Sequence, residues 1–116
     1  MNWNKIKSEA DLLRLRDLSE EGPILLFKSS PRCSVSAVVG NRLDAGLKES
    51  ADLFTGFFVV DVVFERPLSQ KIAAEYGVPH ESPQALIISR GSCVYHTSHF
   101  GIQPETLMQH VQAILP

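Results

Sequence analysis

Cys33 is the residue of this sequence whose surroundings most clearly favour chemistry. It follows a short apolar run, residues 24–28, and the polar loop Ser-Ser-Pro-Arg. Apolar residues then recur at four-residue steps, at Val35, Val39, Leu43 and Leu47, which predicts a helix that begins at Cys33. A helix N-terminus offers unpaired N–H groups and the positive end of the helix dipole, and both stabilise a thiolate. Because the thiolate is the form that attacks disulfides, Cys33 is predicted to be a nucleophile at neutral pH.

The residues beside Cys33 define what such a nucleophile could do. Ser36 lies where a C-x-x-C pair would have its second, resolving cysteine, so a mixed disulfide on Cys33 must be released by an outside thiol. The hydroxyl or backbone N–H of Ser36 is placed to hydrogen-bond the Cys33 sulfur. Arg32 is expected to add a fixed positive charge, and Lys28 is a second candidate for that role. The motif alone also fits a small, buried and inert cysteine.

The elements that would position Cys33 alternate along the chain. The patterns predict helices over 8–21, from 33, from Pro67 to a cap at Gly77 and from Pro104, with strands at 24–28, 57–64, 84–89 and 93–97. A helix between the first two strands implies a parallel, right-handed crossover, whereas 84–97 is a hairpin. The sequence therefore predicts an α/β fold in a single domain, 1–116, with a mixed sheet of about four strands and helices on both faces.

Several side chains are expected in or near the core. The aromatic residues of the second predicted strand, Phe57, Phe58 and Phe64, are assigned to the core, and Trp3 is expected to pack against the body of the protein. The last helix should turn Leu107, Val111 and Ile114 inward. Asp61 is either a solvated residue at a strand end or a buried proton carrier near the nucleophile.

Composition excludes some classes of function. The net charge of −2 does not suggest a polyanionic partner, so no nucleic acid is expected. No apolar run approaches the ~20 residues that cross a bilayer, so no membrane partner is expected, and the N-terminus does not resemble a secretory signal. The default expectation is a cytosolic location. The two cysteines, Cys33 and Cys93, should then both be thiols most of the time.

The order of elements places Cys33 where a thioredoxin fold has its nucleophile. Ser82-Pro83 precedes the third predicted strand, where that fold has a cis-proline that faces the active cysteine and backbone that pairs with substrate. An ordinary trans proline at the start of a strand is the alternative, and the sequence alone leaves the isomer open.

Four strings resemble the monothiol bacilliredoxin family: FKSSPRCSVS at 27–36, IAAEYGV at 72–78, HESPQ at 80–84 and HTSH at 96–99. The resemblance implies a thioredoxin-like fold and removal of a low-molecular-weight thiol, bacillithiol, from protein mixed disulfides. Cys33 would be the attacking cysteine and Pro83 the cis-proline. The partners would be S-thiolated client proteins and the small thiol, with no bound cofactor. The family usually has Cys-Pro-Ile-Ser where this chain has Cys33-Ser34-Val35-Ser36, which puts the pKa of the cysteine and the rigidity of its loop in doubt.

The site predicted from these arguments has Cys33 as its catalytic residue and five supporting residues, Arg32, Ser34, Ser36, Ser82 and Pro83. A non-catalytic binding or chaperone-like module, with a partner held between Cys33 and Pro83, is the alternative function. Iron–sulfur cluster carriage is disfavoured because the Cys-Gly-Phe-Ser motif is absent.

The remaining candidates have weaker patterns. Cys93 lies on a predicted edge strand and is expected to be structural. His96 and His99 straddle a strand end without an evident third ligand, so no metal site is expected. His80 and Glu81 either line the substrate groove or form a surface turn.

Overall fold

The first helix begins where the sequence pattern places its cap. In the computed structural model, which describes all 116 residues, α1 spans Glu9–Ser19, and the Ser8 side chain accepts a hydrogen bond from the backbone N–H of Asp11 at 3.3 Å. This bond satisfies one of the free N–H groups of the first turn. The other helices are α2 Ser34–Gly46, α3 Arg66–Tyr76 and α4 Pro104–Ile114. Short 3₁₀ helices span Lys48–Leu53 and His99–Gly101.

Five strands form one mixed sheet. They are β1 Trp3–Lys5, β2 Ile24–Ser29, β3 Gly56–Asp61, β4 Gln84–Ser89 and β5 Ser92–Ser98, in the spatial order β1-β3-β2-β4-β5. The first three strands of this order are parallel, and β4 and β5 are antiparallel to their neighbours. The predicted fold class is confirmed, but the sheet has one strand more than expected. The missed strand, β1, has only three residues and lacks a hydrophobic pattern.

The core consists of two apolar layers, one on each face of the sheet. Alternate residues of the central strands point to opposite faces, as the strand geometry requires. One layer packs α1 and α3 against Leu26, Phe58 and Leu86, and the other packs α2 and α4 against Leu25, Phe57 and Ile87. Trp3 packs against the second layer, and its indole N–H donates to Asp44 Oδ1 at 2.8 Å, which confirms its expected packing.

Two residues expected in the core lie outside it. The strand predicted over 57–64 ends at Asp61, and the Phe64 side chain is 85% exposed. Asp61 ends the strand because its Oδ1 accepts hydrogen bonds from the N–H groups of Val63 and Phe64, at 2.9 and 3.0 Å, which turns the chain. Asp61 is therefore a residue at a strand end, which is the first of the two alternatives given above, and not a buried proton carrier. Ile114 ends the last turn of α4 and is 40% exposed, so it does not point inward as predicted.

Candidate active site

The candidate site lies at the edge of the sheet where β2 and β3 end and β4 begins. Lys28 of β2 pairs with Gln84 of β4, so the loop that leads to Cys33 and the segment that contains Pro83 leave the sheet side by side. β5 also ends here, since Ser98 pairs with Gln84. The 3₁₀ helix His99–Gly101 that follows β5 packs against α2. Four connections therefore leave the sheet at this edge, and one of them contacts α2.

Cys33 is the N-cap residue of α2, as the sequence predicts. Its backbone is extended, with φ −97° and ψ 119°, and its carbonyl accepts the first helical bond, from Ala37 N–H at 3.2 Å. Its own N–H donates to the Ser30 carbonyl at 3.0 Å, which closes the preceding loop into a turn. The thiol is free and partly exposed. The sulfur is thus accessible at the positive end of the helix dipole.

The first turn of α2 stabilises the Cys33 thiolate. The thiol makes no N-capping hydrogen bond of ordinary geometry, yet the backbone N–H of Ser36 is the main group that lowers the pKa of Cys33. Burial opposes this effect, and the Val35 N–H and the Ser36 hydroxyl add to the lowering. Ser36 is itself only 2% exposed, and its hydroxyl accepts from Ser30 N–H at 3.1 Å, so the side chain is fixed against the loop that precedes Cys33.

Arg32 and Lys28 do not stabilise the thiolate as expected. Arg32 is exposed and makes no ion pair, and it is not among the groups that lower the pKa of Cys33. Lys28 shares the sheet face of Leu26 with α3, whereas α2 packs on the opposite face. Ser34 begins α2 with an exposed side chain that makes no hydrogen bond.

The Ser82–Pro83 peptide bond is cis. Pro83 is buried, and its carbonyl accepts from the N–H of His99 at 2.9 Å, which joins this segment to the 3₁₀ helix that contacts α2. The Ser82 hydroxyl is buried without a hydrogen-bond partner. The predicted site residues on 32–36 and on 82–83 therefore belong to two neighbouring connections at one sheet edge.

A buried lysine lies beneath this edge on the α3 side. Lys28 is 1% exposed, and burial lowers the pKa of its amine to about 8. Its Nζ donates to the Ser69 carbonyl at 3.1 Å and lies 3.2 Å from Nδ1 of His80. The Ser69 hydroxyl is also 3.2 Å from that nitrogen. The sequence shows a lysine at the end of an otherwise apolar strand, but residue spacing does not indicate on which face of the sheet its side chain lies.

A cavity of about 480 Å³ adjoins the Cys33 loop. Its lining comes from the end of β1 and the residues after it, from the end of β2 and the Cys33 loop, and from β3 and the turn that follows: Lys5, Ile6, Lys7, Ser29, Pro31, Val59, Asp61, Phe64 and Glu65. A backbone bond from Val62 N–H to the Ser29 carbonyl, 3.0 Å, holds the turn against the loop. The exposed ring of Phe64 is thus a neighbour of the site rather than a core residue.

Cys93 lies at the opposite end of the sheet from the candidate site, and the histidines form no metal cluster. Cys93 pairs with Ile88, at the opposite end of β4 from Gln84, and donates its S–H to the Tyr95 carbonyl. Burial raises the pKa of the Cys93 thiol. His99 Nδ1 is 3.9 Å from Glu81 Oε2, and no group of three potential ligands comes together. None of the helices has the length and apolar character needed to cross a bilayer.

Comparison with known proteins identifies relatives of this structure. Residues 4–107 match the sequence model of a family described as monothiol bacilliredoxin BrxC. A solved structure assigned as an oxidoreductase with a thioredoxin fold is 30% identical, with a TM-score of 0.77, and the alignment covers 91% of this chain and 90% of that one.

Two thioredoxins show the fold at lower identity. The protein from Fasciola hepatica is 21% identical with a TM-score of 0.69, and the alignment covers 95% of this chain and 97% of that one. The protein from Trypanosoma brucei brucei is 16% identical with a TM-score of 0.72, with 97% and 90% covered.

Proposed function

The chain belongs to the monothiol bacilliredoxin family and is a thiol oxidoreductase of thioredoxin fold, and from this premise we propose that it removes bacillithiol from protein mixed disulfides. Cys33 is the proposed catalytic residue. The observation that carries the proposal is its position: an accessible sulfur at the N-terminus of α2, with its pKa lowered by first-turn N–H groups. Cys93 has the opposite environment, since burial raises the pKa of its thiol.

The proposed reaction consists of two thiol–disulfide exchanges. The Cys33 thiolate attacks the bacillithiol sulfur of the mixed disulfide, a new S–S bond forms, and the client cysteine leaves as a thiolate. A second bacillithiol thiolate then attacks the adduct, which yields bacillithiol disulfide and restores the Cys33 thiolate. Because Ser36 stands where a resolving cysteine would be, the second step needs this outside thiol.

The supporting residues have distinct proposed roles. Ser36 stabilises the Cys33 thiolate through its backbone N–H and its hydroxyl, and Ser82 and Pro83 border the substrate from the neighbouring connection. Arg32 and Ser34 are exposed beside Cys33 and are proposed to contact substrate rather than to tune the thiol. The proposed partners are S-thiolated proteins and the small thiol, without a bound cofactor. A location in the reducing cytosol, where both cysteines would remain thiols, is also part of the proposal.

The proposal is tested on one client protein that carries bacillithiol, glutathione or cysteine on a single thiol. Release of each small thiol is followed for the wild type, Cys33→Ala and Cys93→Ala. We expect fastest release of bacillithiol, complete loss in Cys33→Ala and nearly full activity in Cys93→Ala. Equal activity in Cys33→Ala and wild type would contradict the proposal. Client binding without release by the wild type would instead favour a non-catalytic binding module.

A further inference from the structure

Lys28 is a buried cation without a carboxylate partner. Its side chain is 1% exposed, and the partners of its Nζ are the Ser69 carbonyl and Nδ1 of His80. Neither partner is negatively charged, so the ammonium gains little compensation for the water it has lost. An apolar side chain of similar volume would fill the same space at lower free energy. Stability alone therefore does not account for a lysine here.

The contacts of Lys28 join three elements next to the site. The lysine is the penultimate residue of β2, five residues before Cys33, and Ser69 is in α3. His80 belongs to the connection between α3 and β4, two residues before Ser82 and three before Pro83. The amine thus links the strand that leads to Cys33 with the segment that leads to Pro83.

We infer, on the basis of the proposed function, that Lys28 is a positioning residue that acts through His80. Lys28 holds the segment 79–82 against β2 and α3, so that Pro83 borders the substrate in one position. When His80 becomes protonated this link is lost and the segment is released. The kcat/KM for protein mixed disulfides therefore falls on the acidic side of neutrality. Release of the segment does not change the reactivity of the Cys33 thiol itself.

Hydrogen-bond chemistry explains the dependence on protonation. Nδ1 of His80 has Lys28 Nζ and Ser69 Oγ as neighbours, both at 3.2 Å, and it accepts from the ammonium only in a neutral ring with its proton on Nε2. A protonated ring would place an N–H against the ammonium. Burial lowers the pKa of His80. The positive charges of Lys28 and Arg66 lower it further, whereas the negative charge of Glu81 raises it. The pKa of His80 therefore lies below its ordinary value of about 6.5, and the link is lost as the pH falls through this lowered pKa.

The variants separate positioning from simple structural support. Lys28→Met removes the donor, and His80→Ala removes the acceptor. His80→Asn keeps an acceptor close to the place of Nδ1 but does not titrate. Each variant is compared with the wild type in three measurements: the His80 pKa by NMR where the histidine remains, kcat and KM for a bacillithiolated protein from pH 5 to 8, and the rate of Cys33 alkylation by iodoacetamide.

We expect Lys28→Met to raise the His80 pKa and to lower kcat/KM about tenfold, mainly through KM, since misplacing a substrate-binding segment has effects of at least this size. Alkylation of Cys33 should change less than about twofold, because the small reagent does not need the segment. His80→Ala should match Lys28→Met, and His80→Asn should restore the activity near neutral pH. Both the wild type and His80→Asn lose activity at acidic pH as the Cys33 thiolate is protonated, but the wild type should lose more, because only its residue 80 titrates.

An unchanged His80 pKa in Lys28→Met would overturn the inference, and so would equal kcat/KM values for the wild type, Lys28→Met and His80→Ala. Loss of activity in His80→Asn equal to that in His80→Ala would also contradict it. A wild type that releases no bacillithiol refutes the proposed function instead, and the NMR pKa then decides the Lys28–His80 link alone.

Discussion

Replacing Lys28 by methionine should change how stability depends on pH. Burial lowers the pKa of the amine from 10.5 to about 8, a shift that corresponds to about 3 kcal/mol of stability. The folded state disfavours the charged amine, so the fold is less stable by this amount below pH 8, where the amine carries its proton. The loss of stability disappears as the pH rises from 8 to above 10.5. Methionine occupies a similar volume without a charge, and we expect Lys28→Met to be at least as stable as the wild type at pH 7.

Urea unfolding between pH 7 and 9.5 measures this effect. The single tryptophan, Trp3, packs against Phe27 and Phe57 and reports unfolding by fluorescence. The free energy of unfolding of the wild type, minus that of Lys28→Met, should rise by about 2 kcal/mol over this range, because the folded amine loses its proton first. Lys48→Met, at an exposed lysine, is the matched control and should show no such rise.

A wild-type curve that stays parallel to that of Lys28→Met would refute this explanation. It would mean that the Lys28 amine titrates as if in water, and that the buried cation beneath the site does not exist. A large loss of stability in Lys28→Met at pH 7 would refute it as well, since the amine would then stabilise the fold.

Three further predictions concern the site and its borders. On a Cys93→Ala background, the rate of Cys33 alkylation should have its midpoint below the ordinary thiol pKa of about 8.5. Ser36→Ala removes the hydroxyl but keeps the backbone N–H, which has the larger effect on the pKa of Cys33, so it should raise that midpoint only slightly. Ser36→Cys should release the small thiol from the Cys33 adduct without added reductant, and intact mass should show an internal disulfide; a persistent adduct would mean that residue 36 does not face the sulfur. Phe64→Ala should change the free energy of unfolding by less than about 0.5 kcal/mol, whereas Phe58→Ala, at 1% exposure, should lose about 3–5 kcal/mol in the same urea titration.

Local patterns predicted the elements around Cys33 because their causes are local. The Ser8 cap, the helix start at Cys33 and the left-handed Gly77 at the end of α3 each depend on residues within one turn of the chain. The apolar runs of β2 and β4 similarly indicate strands that are buried on both faces. These features suffice to place the nucleophile at the correct helix end.

Other features depend on tertiary structure and were missed for that reason. The face to which Lys28 points is set by the pairing of β2, and Ser69 and His80 meet it from 41 and 52 residues away. Phe64 was assigned to a buried strand because it continues an apolar run, but the turn that ends the strand depends on hydrogen bonds to the Asp61 side chain, which the apolar pattern does not predict. β1 forms because it pairs with the free edge of β3; its three residues alone have no pattern that predicts a strand.

The central claim is that Cys33 takes the small thiol from the client. Peptide mapping by mass spectrometry tests it, after the reduced chain is mixed with one equivalent of a bacillithiolated protein and no other thiol. We predict that the client loses one bacillithiol, that the peptide containing Cys33 gains it, and that the adduct persists until bacillithiol is added. A client that keeps its modification, or an adduct on Cys93, would contradict the claim.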